Sequence, residues 1–312
     1  MSIAPVDRWG RPIDLALALD GGQVFTWWPV QDGSCGQAFA GLLEGRRVLL
    51  RVAPGLPPGC VAAEGPARAA AARAVAALLD LDRDYRPLDE RLRRLDARLA
   101  RVMEELPGLR IVRLSPWEAL LSFLLATHAS IARIKGMVAA LVQALGPDGS
   151  WLPAPAAIAA AGEKALRSLG LGYRARYVHG AACRLAEDPH LLQRWADLET
   201  HLLRQRLMEL PGVGRKVADC VLLFGYGRWD AFPIDRWVKR ALETLYFGGE
   251  RVPQGRLQAF VHQRFGELGG LAQAYLFARW RAARPHRGQS QGQVAGPVAA
   301  APAGGGERRP CP

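Results

Sequence analysis

Lysine is nearly absent from this chain of 312 residues. Of its 41 basic residues only Lys135, Lys164, Lys216 and Lys239 are lysine, which leaves 37 arginines. An arginine stays protonated at any working pH, whereas a lysine amine can lose its proton and act as a nucleophile, so the four lysines are the places to look for amine chemistry. Cysteine is also sparse. Cys35, Cys60, Cys183, Cys220 and Cys311 are odd in number and scattered, which excludes a disulfide framework and any recognisable zinc spacing. No apolar run reaches the length of a membrane span. The opening residues Met1 to Arg8 lack a following long apolar stretch, and a cytoplasmic protein, nucleoid-associated if bacterial, is expected.

Acidic residues are outnumbered as well, with 29 carboxylates against the 41 cations, giving a net charge of +12 and a pI near 10.1. That balance favours a polyanionic partner, with nucleic acid ahead of an acidic membrane surface. Half the residues are apolar and 22% are charged, as in an ordinary globular protein able to bury its own core.

Two patterns of periodicity divide the chain. From Leu15 to Val52 short apolar and polar stretches alternate between turn signals at Asp20-Gly21-Gly22, Asp32-Gly33-Ser34 and Glu44-Gly45-Arg46, which predicts antiparallel strands. Pro54 to Gly59 reads as a surface loop, followed by an alanine-rich helix over about 65–79. Beyond Asp80 the spacing is helical, with helices expected near 88–105, 116–126, 130–145, 174–186, 191–209, 215–224, 235–246, 254–265 and 270–284. The expected fold class is α+β, mainly α. An antiparallel sheet domain with a flanking helix occupies 1–85, a helical domain 86–284, and a disordered Gly-, Ala- and Pro-rich tail 285–312.

The chemistry is concentrated at Leu210-Pro211-Gly212-Val213-Gly214-Arg215-Lys216-Val217-Ala218-Asp219-Cys220, where one helix ends and a two-glycine turn opens the next. Gly212 and Gly214 allow backbone conformations closed to other residues and a close approach of a DNA strand. The free amides at the new helix start suit phosphate. Val217, Val221 and Phe224 form the buried face and put Lys216 and Cys220, four apart, on a neighbouring one. Nineteen residues after Lys216, Asp235 stands at the N-cap of another amphipathic helix, where it can also stabilise positive charge building on a sugar ring.

With these residues the chain resembles the helix-hairpin-helix DNA glycosylases, and among them the bifunctional 8-oxoguanine DNA glycosylases, over about residues 14–283. Further matches are Gly21 to Trp27, Leu169 to Val178, and Gln273 to Phe277. The resemblance implies a Schiff-base nucleophile at Lys216 with Asp235 as its catalytic partner. It implies that the Gly22 carbonyl reads the N7 hydrogen of the oxidised base, that Gln273 reads its pairing edge, and that Phe277 and Cys220 sandwich the flipped ring. By the same resemblance Gly212 and Gly214 are expected to grip the DNA backbone, Tyr173 to act as the wedge, and Arg174, Arg133 and His128 to face the orphaned cytosine. His128 stands where the family commonly has Asn, and Trp237 where it has His. The implied partner is double-stranded DNA containing an oxidised purine, bound by a monomer. No cofactor or metal is implied beyond a monovalent cation at the hairpin carbonyls. Two alternatives stay open: a same-fold glycosylase for another oxidised or alkylated base, and a non-enzymatic module that uses the hairpin only for grip. The iron–sulfur branch is disfavoured because no four-cysteine cluster follows the helices.

Overall fold

The computed structural model describes residues 3–6, 10–30, 37–43, 46–52, 60–64, 68–147 and 152–282. The expected turns at 32–34 and 44–45, the loop at 54–59 and the tail at 285–312 lie outside them. Five strands, β1 (Ile3–Val6), β2 (Trp27–Pro29), β3 (Gln37–Leu43), β4 (Arg46–Val52) and β5 (Cys60–Glu64), form one antiparallel sheet in the order β1-β5-β4-β3-β2. β3 and β4 pair continuously from Gln37 opposite Val52 to Leu43 opposite Arg46. On the edge strand Trp27 lies opposite Gly41, and a Cβ at Gly41 would sit 2.1 Å from the fully buried indole. Only glycine leaves room for that ring.

The sheet is followed by α1 (Arg68–Leu78), and then by a helical body. Its first half contains α2 (Arg86–Leu95), α3 (Ala97–Glu104), α4 (Pro116–Leu125), α5 (Ile131–Leu145), α6 (Pro155–Leu166) and α7 (Arg174–Glu187). The second half holds α8 (Leu191–Arg194), α9 (Thr200–Met208), α10 (Arg215–Cys220), α11 (Arg236–Tyr246), α12 (Gln254–Phe265) and α13 (Gly269–Ala282). None of these helices is long and apolar enough to cross a membrane. One contiguous core runs from Ile13 to Leu276 and joins sheet to helices.

The expected strand from Leu15 is instead a helical turn, Ala16–Asp20. Leu15, Ala18 and Leu19 are fully buried, a spacing of three and four that suits a turn of helix rather than the alternation of a strand. Asp14 caps it by accepting from the Leu17 amide at 3.0 Å. The expected helix over 88–105 breaks at Asp96, whose extended backbone (φ −147°, ψ 105°) lets its side chain cap α3 through the Leu99 amide. Arg264 holds the other oxygen of that carboxylate at 2.9 Å. The 191–209 segment likewise divides, into α8 and α9. α6 was absent from the sequence reading, because its small residues give little contrast between faces.

At the start of α4, the hydroxyl of Thr26 donates to Glu118 at 2.9 Å. Burial at this junction pushes the Glu118 carboxyl up to about 7, with the Thr26 bond opposing the rise. Since the unfolded chain releases this proton at lower pH, folding loses stability as pH rises from about 4.5 to about 7 and changes little above it. Glu118→Gln keeps an acceptor for Thr26 without the charge. Its stability advantage over the parent is expected to grow between pH 5 and pH 8 by on the order of 1 to 3 kcal/mol. Denaturant melts at the two pH values measure it; a gap independent of pH would contradict the assignment.

Candidate active site

The hairpin owes its shape to contacts on both flanks. Gly212 has φ +77°, and a Cβ there would lie 2.4 Å from the Tyr177 ring, so α7 packs against bare backbone at the turn. The Val213 amide closes the turn by donating to the Leu210 carbonyl at 3.1 Å. Gly214 differs from expectation. Its φ of −87° and ψ of 175° are open to any residue, and a Cβ would meet nothing within 4 Å. Glycine at 214 therefore gives clearance on the outer surface and no special backbone conformation. On the inner side Asp219 is buried and reaches back to α9, where Arg204 donates to it at 2.6 Å, with Arg215 at 3.7 Å. That ion pair ties the two helices of the hairpin together.

Lys216 leaves α10 with its ammonium 5.1 Å from the centre of the Phe123 ring, a cation–π distance. One turn on, Cys220 is buried. Burial pushes its thiol up to about 11, against the pull of Lys216 and with added repulsion from Asp235. Lys216, Cys220 and Asp235 thus share one electrostatic neighbourhood. Asp235 caps α11 by accepting from the Trp237 and Val238 amides, each at 2.9 Å, which fixes one carboxylate oxygen.

A cavity of about 1560 Å³ opens beside these three residues and is also lined by Gly22, Gln273, Phe277, His128, Gly212, Gly214 and Trp237. Gly22 has φ +92°, and a Cβ on it would fall 2.8 Å from Ile131 Cδ1 and 3.3 Å from the Phe277 ring. Only glycine brings main chain this close to the aromatic wall. The turn is held there by Gln23, whose amide donates to the Arg110 and Leu17 carbonyls at 2.8 and 3.3 Å and accepts from the Val112 amide at 3.1 Å.

The expected DNA contacts divide into two groups. His128 lines the cavity rim in a left-handed backbone conformation, φ +50°. Tyr173, Arg174 and Arg133 are outside the lining but are attached to its edge. The Tyr173 hydroxyl donates to the Thr127 carbonyl at 3.1 Å and leaves its ring exposed. The Arg174 guanidinium is buried and donates to the carbonyls of Thr127 and His128, while Arg133 is exposed and donates to Gly170 at 3.2 Å. Sequence reasoning missed Phe123, Phe224 and Ile131 in the lining. It also missed Arg281 there and the nearby Asp20–Lys135 pair. The rarity of lysine had pointed to Lys135 without assigning it a role. No cluster of three or more His, Cys, Asp and Glu that could hold a metal occurs among the described residues.

Residues 9–120 match the family described as 8-oxoguanine DNA glycosylase, N-terminal domain. An N-glycosylase/DNA lyase of Arabidopsis thaliana is 34% identical over 202 residues, 58% of this chain and 54% of that protein. A probable N-glycosylase/DNA lyase of Methanothermobacter thermautotrophicus is 38% identical over 112 residues, 36% of this chain and 35% of its own. The chain thus spans about half or less of the curated relatives it matches. Among solved structures, the Clostridium acetobutylicum 8-oxoguanine glycosylase/lyase bound to double-stranded DNA with cytosine opposite 8-oxoguanine superposes with a TM-score of 0.79. It is 27% identical and covers 87% of this chain and 93% of that one. A 3-methyladenine DNA glycosylase of Archaeoglobus fulgidus shares the fold, at a TM-score of 0.66 and 22% identity, with 87% and 96% of the two chains covered. By sequence and by fold this protein is similar to the 8-oxoguanine DNA glycosylases, and its residues 9–120 match the N-terminal domain described for that family.

Proposed function

We propose that this protein excises 8-oxoguanine from duplex DNA and then cleaves the strand by β-elimination. The observation that carries the reading is the convergence of Lys216, Asp235 and Cys220 on a single cavity walled by Gly22, Gln273 and Phe277. A stacked base hides its sugar carbon, so the nucleotide must rotate out of the helix, at a cost of a few kcal/mol. Exposed Tyr173 fills the gap. The unprotonated amine of Lys216 attacks C1′, the glycosidic bond breaks with its electron pair going to the base, and Asp235 stabilises the positive charge that builds on the sugar. The departing base takes up the proton that the attached nitrogen loses, and opening of the C1′–O4′ bond, with O4′ protonated, leaves an iminium at C1′. The iminium acidifies C2′, and loss of that proton expels the 3′ phosphate.

The lesion is distinguished by one hydrogen. The Gly22 carbonyl accepts from N7–H of 8-oxoguanine and meets only a lone pair on guanine, a mismatch costing about 1 to 3 kcal/mol in a buried site. Cytosine opposite the lesion is met by His128, Arg133 and Arg174. Arg174 has to exchange its bonds to the Thr127 and His128 carbonyls for this role. The protein acts as a monomer on chromosomal DNA. A monovalent cation suits the hairpin: the Leu210 carbonyl accepts one amide and keeps a lone pair for such an ion.

Three variants test the reading. Lys216→Gln is expected to lose base release and the borohydride-trapped adduct on an 8-oxoguanine duplex, while binding to undamaged duplex stays within a few-fold. Full excision by that variant would refute the nucleophile. Gly22→Ala drives a methyl group into Ile131 and Phe277 and strains a positive φ. Excision should fall by on the order of a hundredfold through misplacement of the ring, read as single-turnover rates. His128→Asn exchanges two residue types that both tolerate the left-handed region, so folding stability should change by less than about 1 kcal/mol. Its ratio of excision opposite C, A, G and T should shift as well; an unchanged ratio would remove His128 from opposite-base reading.

A further inference from the structure

One wall of the cavity is built in two layers. Ile131 and Lys135 are one turn apart on α5, and Phe277 and Arg281 are one turn apart on α13. Ile131 and Phe277 meet across Gly22, forming an apolar layer. Next to it lies a charged layer, in which Lys135 Nζ contacts Asp20 Oδ1 at 2.6 Å and Arg281 lies within electrostatic range of both. The Lys135 side chain is only 6% exposed, against 41% for Asp20, so the ammonium is taken out of water for this one carboxylate. Burial pulls both Lys135 and Arg281 below their ordinary values, and Asp20 opposes the fall in each. Burying a cation and its partner in this way adds little net stability, so the pair is not explained by stability alone.

Asp20 is the last residue of the helical turn that leads into Gly21 and Gly22. Gly21 lies close under that turn, since a Cβ on it would sit 2.0 Å from the Leu17 carbonyl oxygen, so only glycine lets the chain pass there. On the other side the Gln23 amide is bonded to residues 17, 110 and 112. The carbonyl of Gly22 is therefore set by two anchors, Gln23 one residue after it and the Asp20–Lys135 pair two residues before. We propose that Asp20 and Lys135, with Arg281 beside them, are positioning residues that aim the Gly22 carbonyl at the extruded base and so set the preference for the oxidised purine. The proposal rests on the function proposed above. It requires no contact between the pair and the nucleic acid.

An abasic site carries no base for Gly22 to read, which provides the test. Lys135→Met fills the buried volume and leaves Asp20 in contact with water. Asp20→Asn and the double variant complete a cycle, and Lys135→Arg keeps the charge. Single-turnover excision is measured on full-length protein with 8-oxoguanine and with guanine opposite cytosine. β-Elimination and borohydride trapping are measured on a duplex with a preformed abasic site. Lys135→Met and Asp20→Asn should each lower 8-oxoguanine excision on the order of tenfold and narrow its preference over guanine. The double variant should be no worse than either, Lys135→Arg should retain most of the rate, and abasic-site cleavage should stay within twofold throughout. Parallel loss of excision and abasic-site cleavage would reduce the pair to a structural role and overturn the proposal. Unchanged excision and preference in all variants would overturn it too. Failure of the parent protein to excise 8-oxoguanine at all would refute the proposed function instead.

Discussion

The buried side-chain amide of Gln23 joins the edge of the sheet to the helical body. Its three bonds, to the carbonyls of Leu17 and Arg110 and from the amide of Val112, pin the Gly21–Gly22 turn against α5 and α13. Without them the sheet could still form, but Gly22 would have no reason to lie against Phe277. Aromatic packing extends the same junction inward. The edge of Phe25 meets Phe123 at 6.0 Å, and Phe123 stacks on Phe224 at 5.2 Å. Phe123 in turn offers its ring to Lys216. A single chain of contacts thus runs from the wall that would read the base to the amine that would attack the sugar.

The hairpin depends on the opposite kind of interaction. Asp219 faces away from the cavity and is held by Arg204, while Lys216 and Cys220 on the same short helix face into it. Burial raises the Asp219 carboxyl, and the two arginines counter that rise, so the charge is kept in place by its partners. Removing Arg204 would leave the buried carboxylate with only the more distant Arg215, at 3.7 Å. Cys220 meets the same burial without a full counter-charge, and its thiol is held neutral near physiological pH. It is thus suited to be a wall of the cavity rather than a second nucleophile.

Expectation and structure part where a local pattern was overruled from outside its own segment. Residues 15–20 alternate leucine with smaller residues and were expected as a strand, but Asp14 and Gln37 cap and anchor them as a turn of helix. Asp96 interrupts a helical stretch because Arg264, 168 residues away, rewards its capping conformation. The guanidinium of Arg174, a residue expected to face the orphaned cytosine, lies over Tyr173 and bonds to two carbonyls of the Thr127–His128 turn. Those bonds help to hold the left-handed conformation of His128, which few non-glycine residues adopt.

Much of the site was legible in the sequence because its signals are local. The turn at Gly212 before a helix, the spacing of four between Lys216 and Cys220, and the capping position of Asp235 each depend on a few neighbouring residues, whereas the roles expected of them came from the resemblance. The helical body was legible for a similar reason, since periodicity is a property of a single segment. What the sequence could not determine is which distant segments meet. That Gly22 lies against Phe277, that Phe123 underlies Lys216, and that Asp20 takes Lys135 as its partner all depend on long-range packing. Those contacts join residues more than ninety positions apart, and their energies come from burial and desolvation that exist only once the chain has closed on itself.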